Sequence, residues 1–280
     1  MSVKIISDSA CDLPVAQDGA LRILPMKISF GEDIFLDGVD LSHSMFYEKL
    51  IECSSLPTTS LIPPYEFEQA FAQVAAAGDT AVAVTLSQKL SGTYQSAVIA
   101  AQPYEGSVVV VDSQSVSVGQ KILVCYAQRL AEAGLDARVI ADKLEAEKRR
   151  VCVLALLDTL EYLKAGGRIS KTVAFAGEMF HIKPVVALRD GEVALIGKAR
   201  GSKNSNNLLK ELIRAKGGID FDYPVALGYT GLNDNMLQKY IADSRELWQA
   251  HAETLPVGSI GGTIGTHAGP GAIAVAFFAR

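Results

Sequence analysis

Four short apolar runs, separated by polar turns and helical patterns, constrain the fold of this chain more than any other feature. The runs are Val3–Ile6, Ala81–Val84, Val108–Val111 and Val151–Leu157. Runs of this length are typical of strands that are buried on both faces, as in a parallel sheet. Because strands alternate with helices here, we predict an α/β layered fold with a largely parallel sheet. We expect Val151–Leu157, the most apolar run, to be a central parallel strand.

The alternation of apolar runs with helical patterns changes after residue 157. The segment that follows contains a β-hairpin pattern around Arg189–Gly191 and a short apolar stretch, Phe175–Phe180, which could line a cavity. A chain of 280 residues is long enough for two modest domains of ~100–200 residues each. We therefore predict an N-terminal α/β domain over 1–157 and a smaller C-terminal α/β domain over 158–280.

The strongest indication of a binding site lies in the stretch Thr85–Ser96. An apolar run precedes it, and apolar residues then recur at the spacing of one helix face. Ser91, Gly92 and Thr93 therefore fall at a helix N-terminus, where unpaired backbone N–H groups and the helix dipole favour an anion. Gly92 lets a ligand approach the backbone, and the two hydroxyls add hydrogen-bond partners. We predict that this turn holds a carboxylate and that apolar side chains enclose the tail behind it.

A second group of hydroxyls, Thr58–Ser60, precedes another predicted helix. Pro63 and Pro64 suit the first turn of that helix, because the missing N–H groups have no intrahelical partner there. Ordinary helix capping explains a single group of this kind. The presence of a second hydroxyl-bearing helix start at Ser91–Thr93 favours a shared site for one acid headgroup.

His267 is the histidine that we single out. It lies among glycines, which permit tight turns and bring the backbone close to a ligand. A lone histidine is more often structural, but this glycine-rich setting favours a role in a site. Next to a carboxylate its protonated form would be favoured, and it could supply a charge-assisted hydrogen bond.

Composition excludes several classes of protein. The chain has 26 basic and 31 acidic residues and no basic stripe, so we expect no binding to nucleic acid. No apolar run approaches the ~20 residues of a membrane-spanning helix, and the N-terminus is not a signal peptide. The four cysteines have no C-x-x-C spacing, which favours free thiols in a reducing compartment. We therefore expect a cytoplasmic protein with no membrane span.

The sequence signatures of several enzymes are absent. There is no G-x-S-x-G, and the nearest string to a P-loop has five residues between its glycines and ends in Ala199. The string Gly269–Ala274 fits a dinucleotide fingerprint, but it contains a proline and lies too close to residue 280 to open a βαβ unit. The four histidines show no metal-ligand spacing with cysteine or acid pairs. We expect neither a cofactor nor a metal.

Seven motifs in chain order carry a resemblance to a known family. They are IISDSACDLP at Ile5–Pro14, LPTTS at Leu56–Ser60, LSGTYQSA at Leu90–Ala97, VVDS at Val110–Ser113, YLKAGGRIS at Tyr162–Ser170, IKPV at Ile182–Val185 and GTHAGPGA at Gly265–Ala272. On these motifs the chain resembles the DegV family of bacterial fatty-acid-binding proteins. The resemblance implies a two-domain α/β fold with a long-chain fatty acid, such as palmitate or stearate, between the domains. It places the carboxyl group at the hydroxyl-rich turns and the acyl chain in a closed apolar tunnel.

The resemblance also implies roles for individual residues. The headgroup residues of the family correspond here to Thr59 or Ser60, to Ser91 and to His267. The family pattern after the TTS motif commonly continues with Gln-Pro, whereas this chain has Leu61–Pro63. That difference leaves open which of Thr59 and Ser60 faces the ligand.

Some members of the family present the fatty acid to a separate ATP-dependent fatty acid kinase. The arginine associated with that engagement corresponds most nearly to Arg200. The leading hypothesis is therefore a non-catalytic carrier that presents a fatty acid to an acyl kinase. The alternative is a phosphotransfer or hydrolytic enzyme that uses Ser91 and His267. The fold also resembles dihydroxyacetone kinase domains, but a shared fold supports this alternative only by analogy. A lipid-sensing regulatory module is a third, weaker possibility.

Overall fold

A computed structural model of the protein describes residues 2–16, 19–169, 182–248, 251 and 253–280. The strands are β1 (Val3–Asp8), β2 (Leu21–Leu24), β3 (Lys27–Phe30), β4 (Asp33–Leu36), β5 (Thr58–Ser60), β6 (Thr80–Thr85), β7 (Val108–Asp112), β8 (Val151–Leu156), β9 (Ile182–Arg189), β10 (Glu192–Arg200), β11 (Ala226–Tyr229), β12 (Val257–Ser259) and β13 (Ile273–Phe278). The helices are α1 (His43–Glu52), α2 (Pro64–Ala76), α3 (Thr93–Ala101), α4 (Val118–Glu132), α5 (Ala137–Glu147), α6 (Glu161–Ala165), α7 (Ser202–Ala215), α8 (Asn235–Asp243), α9 (Arg245–Trp248) and α10 (Gly262–Ala268). The predicted stretch Phe175–Phe180 lies outside the described residues.

These strands form three sheets. The first has the order β2-β1-β6-β7, and all of its neighbouring strands are parallel. The second has the order β10-β9-β8-β13-β11-β12 and is mostly antiparallel, while β4-β3-β5 form a small antiparallel sheet. Apolar helix faces cover the sheets. The prediction of an α/β fold with a parallel sheet is thus confirmed.

Strand β8 corrects one prediction. It pairs antiparallel with both β9 and β13 and belongs to the second sheet, so it is not a parallel strand of the first. Val153 packs in the core beneath α4, and Leu154 packs in the core beneath α7. Burial on both faces therefore explains its continuous apolar run without a parallel neighbour. The strands from β8 onward, which begin at Val151, all belong to the second sheet. The predicted division into two domains after residue 157 stays a prediction.

The predicted hairpin is confirmed as β9 and β10, with Arg189 paired to Glu192. Asp190 and Gly191 form its turn, and both have positive φ angles, 50° and 83°. The Ser87 hydroxyl donates a hydrogen bond of 2.7 Å to the Gly191 carbonyl oxygen. The hairpin of the second sheet therefore rests on the loop that follows β6 of the first sheet.

The glycine-rich stretch near the C-terminus forms β12 and α10, where the sequence suggests tight turns. A Cβ atom at Gly265 would lie 2.6 Å from Cε1 of Phe46 and 2.7 Å from Oη of Tyr47. A Cβ at Gly262 would meet Ile28 and Phe46 at similarly short distances. Gly262 and Gly265 therefore allow helix α10 to pack directly against buried aromatic rings of α1.

Two buried carboxylates hold the N-terminus of α10. Asp37 accepts hydrogen bonds from the backbone N–H groups of Gly262 (3.0 Å) and Thr263 (3.2 Å) and from the Thr263 hydroxyl (2.6 Å). Asp12 accepts one from the Gly261 N–H at 2.8 Å. These bonds satisfy N–H groups that a helix leaves unpaired at its start. Burial raises the pKa of Asp12 to about 7, although hydrogen bonds to its carboxylate oppose that shift.

We expect the substitution Gly265→Ala to destabilise the protein. Alanine favours a helix by ~1 kcal/mol over glycine, but the added methyl group would overlap two buried rings, and overpacking costs ~1–3 kcal/mol. Chemical denaturation should show an unfolding midpoint below that of the parent. Gly92→Ala is the matched control, because its new methyl group meets only the outer end of the exposed Leu61 side chain. Equal stability of the parent and Gly265→Ala would contradict this account of α10.

Candidate functional site

The site lies at the carboxyl ends of the parallel strands. Strand β1 has β2 on one side and β6 on the other, so the direction of chain progression reverses between β1 and β6. Ligands of open α/β sheets bind beyond the strand ends at such a reversal. The loop from Leu86 to Gly92, which follows β6, occupies this position.

Ser91 lies two residues before the first residue of α3, in the predicted turn. Its Oγ accepts a hydrogen bond from the Thr93 N–H (3.3 Å) and lies 3.0 Å from Thr93 Oγ1. Thr93 Oγ1 also accepts a hydrogen bond from the Ile62 N–H at 3.4 Å. This chain of contacts connects the turn before α3 with the segment before α2, and it brings the two hydroxyl-rich stretches together.

Gly92 is the N-cap residue of α3 and has an ordinary φ of −74°. It is exposed and does not line the cavity described below. A Cβ at this position would lie 2.9 Å from Cδ2 of Leu61, which does line the cavity. Gly92 therefore lies beneath Leu61, and its predicted contact with a ligand stays a prediction.

The Thr58–Ser60 stretch corrects the prediction of a second helix start, because it forms strand β5. It pairs with β3, with Thr59 opposite Ile28 and Ser60 opposite Lys27. Alternate side chains of a strand point to opposite faces. Thr59 lines the cavity, while Ser60 is exposed and lies outside it. Helix α2 begins only at Pro64, and residues that precede prolines favour extended backbone.

His267 lies near the C-terminal end of α10 and contacts Thr59. Its Nε2 is 3.1 Å from Thr59 Oγ1, while its Nδ1 is buried and has no hydrogen-bond partner among the described residues. Gly166 lies against this Nδ1, and a Cβ at Gly166 would overlap the ring. The position of the imidazole therefore depends on a glycine at the end of α6 as well as on α10.

Arg168 is the functional candidate that the sequence reasoning missed. It is half-buried and lines the cavity, where its Nε donates to the Leu90 carbonyl oxygen at 3.1 Å and its Nη1 donates to that of Gly166 at 2.6 Å. A basic residue directly after a glycine pair that ends a helix was the available signal. The guanidinium places a positive charge beside Ser91 and His267.

Burial, with the charge of Arg168 as a second cause, lowers the pKa of His267 to about 4. The imidazole is therefore neutral at pH 7 in the protein without a ligand. The protonated form expected from the sequence would need a negative charge beside it to offset both causes.

The cavity beneath these polar groups is almost entirely apolar. The space between its lining residues measures about 940 Å³, its open mouth included. One wall comes from the second sheet, where Val153 and Ala155 of β8 and Leu157 just after the strand are alternate residues. These three positions span ~13 Å at the usual rise of a strand. Thr59, Ser91, Arg168 and His267 all line the same cavity.

Arg200 lies elsewhere, at the end of strand β10. It is exposed, and it does not line the cavity. Its carbonyl oxygen accepts a hydrogen bond from the Asn204 amide at 3.0 Å. Its position thus separates it from Thr59, Ser91 and His267.

Within the described part of the chain, no group of three or more His, Cys, Asp or Glu side chains could hold a metal ion. None of the helices described there combines the length and the apolar character that a bilayer crossing requires.

Comparisons with known proteins find relatives from the DegV family. A family model described as an uncharacterised protein of the DegV family matches residues 2–280. A DegV domain-containing protein of Deinococcus radiodurans is 33% identical over 99% of this chain and 98% of its own length. The structure of a DegV family protein from Thermus thermophilus, described by its fatty acid binding, is 30% identical with a TM-score of 0.88 and full coverage of both chains. A stearic acid-binding protein of Eubacterium ventriosum is 27% identical with a TM-score of 0.82, over 100% of this chain and 98% of its own.

We expect His267 of the ligand-free protein to titrate near pH 4, which NMR of the labelled imidazoles would measure. The substitution Arg168→Gln should raise this midpoint but leave it below 6.5, because the ring remains buried. Since the folded pKa lies below the unfolded one, the stability contributed by His267 is present above about pH 6.5 and is lost as the pH falls toward 4. His267→Gln assigns the signal, and Arg200→Gln serves as the control. An unshifted midpoint in Arg168→Gln would contradict the electrostatic account.

Proposed function

This chain belongs to the DegV family, and we propose that it binds one long-chain fatty acid without transforming it. The observation that carries the proposal is an apolar cavity lined at one place by Thr59, Ser91, Arg168 and His267. The hydroxyls of the other two polar lining residues, Ser117 and Thr263, already donate to Asp12 and Asp37. A fatty acid has this distribution of polarity, with a single acid group and a long apolar tail. The similarity to the fatty-acid-binding protein of Thermus thermophilus supports the same conclusion.

In the proposed complex, the carboxylate lies against the Ser91 and Thr59 hydroxyls and faces the guanidinium of Arg168. Hydrogen bonds to a charged group contribute ~1.5–3 kcal/mol each. The acyl chain extends along β8 past Ala155 toward Val153, and each buried methylene contributes ~0.8 kcal/mol. The tail therefore supplies most of the affinity, while the headgroup contacts determine its orientation.

The contacts do not favour the enzyme alternative. A serine nucleophile needs a hydrogen bond to its activating base. Here His267 Nε2 is paired with Thr59, and Ser91 Oγ is paired with Thr93. The hydrogen bonds of the described residues therefore include no Ser91–His267 pair, which supports a carrier rather than a hydrolase.

We further propose that the protein presents its fatty acid to a separate acyl kinase through the surface around Arg200. Arg200 is exposed on a hairpin whose other residues Val186, Leu188 and Val193 line the cavity. A partner that contacts this hairpin would therefore touch an element of the cavity wall. The family resemblance is the ground for the kinase itself.

Native mass spectrometry of protein purified without detergent tests lipid binding directly, and extraction identifies the lipid. We expect a complex with one fatty acid per chain. Thr59→Val and Ser91→Ala should each weaken retention by about ten-fold or more, because a hydrogen bond to the buried carboxylate is lost. Ser60→Ala is the matched control and should behave as the parent. A purely apo mass, or equal retention in all variants, would refute the proposed site.

For Arg200 we expect a separation of binding from presentation. Arg200→Ala should retain fatty acid as the parent does, but should lower the rate of acyl phosphate formation by the kinase of the source organism. Arg214→Ala, another exposed arginine of the same part of the chain, is the control. A loss of lipid affinity in Arg200→Ala would place Arg200 in the cavity, and unchanged phosphorylation would remove its role in presentation.

A further inference from the structure

A second cavity lies behind the wall of the first. It measures about 1480 Å³, its open side included, and is lined by the β8–β10 part of the second sheet, by α7 and by the loop after β7 of the first sheet. Val153, Ala187 and Leu188 line both cavities and form the partition between them. We call this second cavity the basic cleft, for its charged lining residues Lys148, Arg149, Arg189, Asp190 and Lys216.

The charge of the basic cleft contrasts with that of the whole chain. Four cations and one carboxylate line it, although the chain carries a net charge of −5. The Lys148 ammonium group forms an ion pair with Glu145 (2.7 Å) and donates a hydrogen bond to the Asp112 carbonyl oxygen (3.0 Å). The side chains of Arg149, Arg189 and Lys216 have no ion-pair or hydrogen-bond partner among the described residues.

The backbone that carries these cations is well anchored. Arg149 lies in a 3-10 turn, Lys148–Arg150, whose last residue forms ion pairs with Glu147 (2.7 Å) and Asp220 (2.6 Å). Arg189 ends strand β9, next to the hairpin turn that Ser87 holds. Two exposed arginines therefore line one concave space from backbone that is held in place.

Gln114 provides an independent observation. It lines the basic cleft with a φ of 49°, in the left-handed region that residues other than glycine seldom adopt. The Gln114 N–H donates to Asp112 Oδ1 at 3.0 Å, which holds this conformation. Such conformations cluster at ligand sites, where the surroundings maintain the strain.

We propose that the basic cleft binds a small molecule that bears phosphate groups. Planar guanidinium groups bind phosphate oxygens in pairs, so Arg149 and Arg189 suit adjacent phosphates. Lys216 adds charge, and the Gln114 amide adds a neutral hydrogen-bonding group. None of these four residues lines the apolar cavity, so the proposal stands independently of fatty-acid binding.

Isothermal titration of the full chain with sodium pyrophosphate tests the proposal. We expect saturable binding at one site per chain. Arg149→Gln and Arg189→Gln should each weaken it by about ten-fold or more, because a charge-assisted contact is lost. The control is Arg138→Gln, since Arg138 lies on α5, is exposed and pairs with Asp142. Its affinity should equal that of the parent, and thermal unfolding monitors the fold of each variant.

Three results would overturn the proposal. They are the absence of saturable binding, equal affinity in the cleft variants and the parent, and an equal loss in Arg138→Gln, which would indicate a general charge effect. Titration with ATP, inorganic phosphate and phosphatidylglycerol vesicles distinguishes the sources of phosphate. Binding of ATP or inorganic phosphate that the cleft variants weaken supports the small-molecule site. Binding of vesicles alone overturns it, because a membrane surface would then be the partner.

Discussion

The hydrogen bonds that Asp12 and Asp37 accept from the start of α10 are the interaction on which the site depends. They join residues near the N-terminus to a helix more than two hundred positions later in the chain. Because a buried carboxylate that lost these N–H groups would remain desolvated, the pairing strongly disfavours displacement of the helix. The orientation of α10 then determines where His267 meets Thr59. One pair of acids therefore connects the packing of the fold to the geometry of the polar end of the cavity.

The cavity itself results from small side chains on the second sheet, at the end of α10 and just before β13. Protein interiors are normally packed to the density of organic crystals, so an apolar void of this size requires a cause. Alanines stand where larger residues would fill the space: Ala155, Ala187, Ala268, Ala272 and Ala274. An apolar void destabilises a fold, whereas a ligand that binds only the folded state stabilises it. In the proposed complex, the acyl chain therefore completes the hydrophobic core.

Local sequence patterns predicted the features that depend on neighbouring residues. The strand, turn and helix around Ser91 and the hairpin at Asp190-Gly191 were predicted because turn residues and apolar periodicity are local signals. The direction of β8 was not, since burial on both faces produces the same apolar run in either type of sheet. The face on which Thr59 lies depends on its register with β3, and the helical state of the glycines in α10 depends on the rings of Phe46 and Tyr47. The role of Arg168 was not predicted, because the position of its guanidinium depends on hydrogen bonds to the carbonyl oxygens of Leu90 and Gly166.

The electrostatics of the polar end suggest how a carboxylate would alter it. Arg168 is a permanent cation, and together with burial it keeps His267 neutral. A carboxylate that lies beside Arg168 would neutralise this repulsion and provide a partner for an imidazolium. Its arrival would therefore raise the pKa of His267, and by linkage the fatty acid would bind more tightly as the pH falls through the range where the loaded histidine gains its proton. In the proposed complex, an esterified or reduced chain would leave the charge of Arg168 without a counter-charge. We therefore expect the site to favour a free acid over these derivatives by charge rather than by shape.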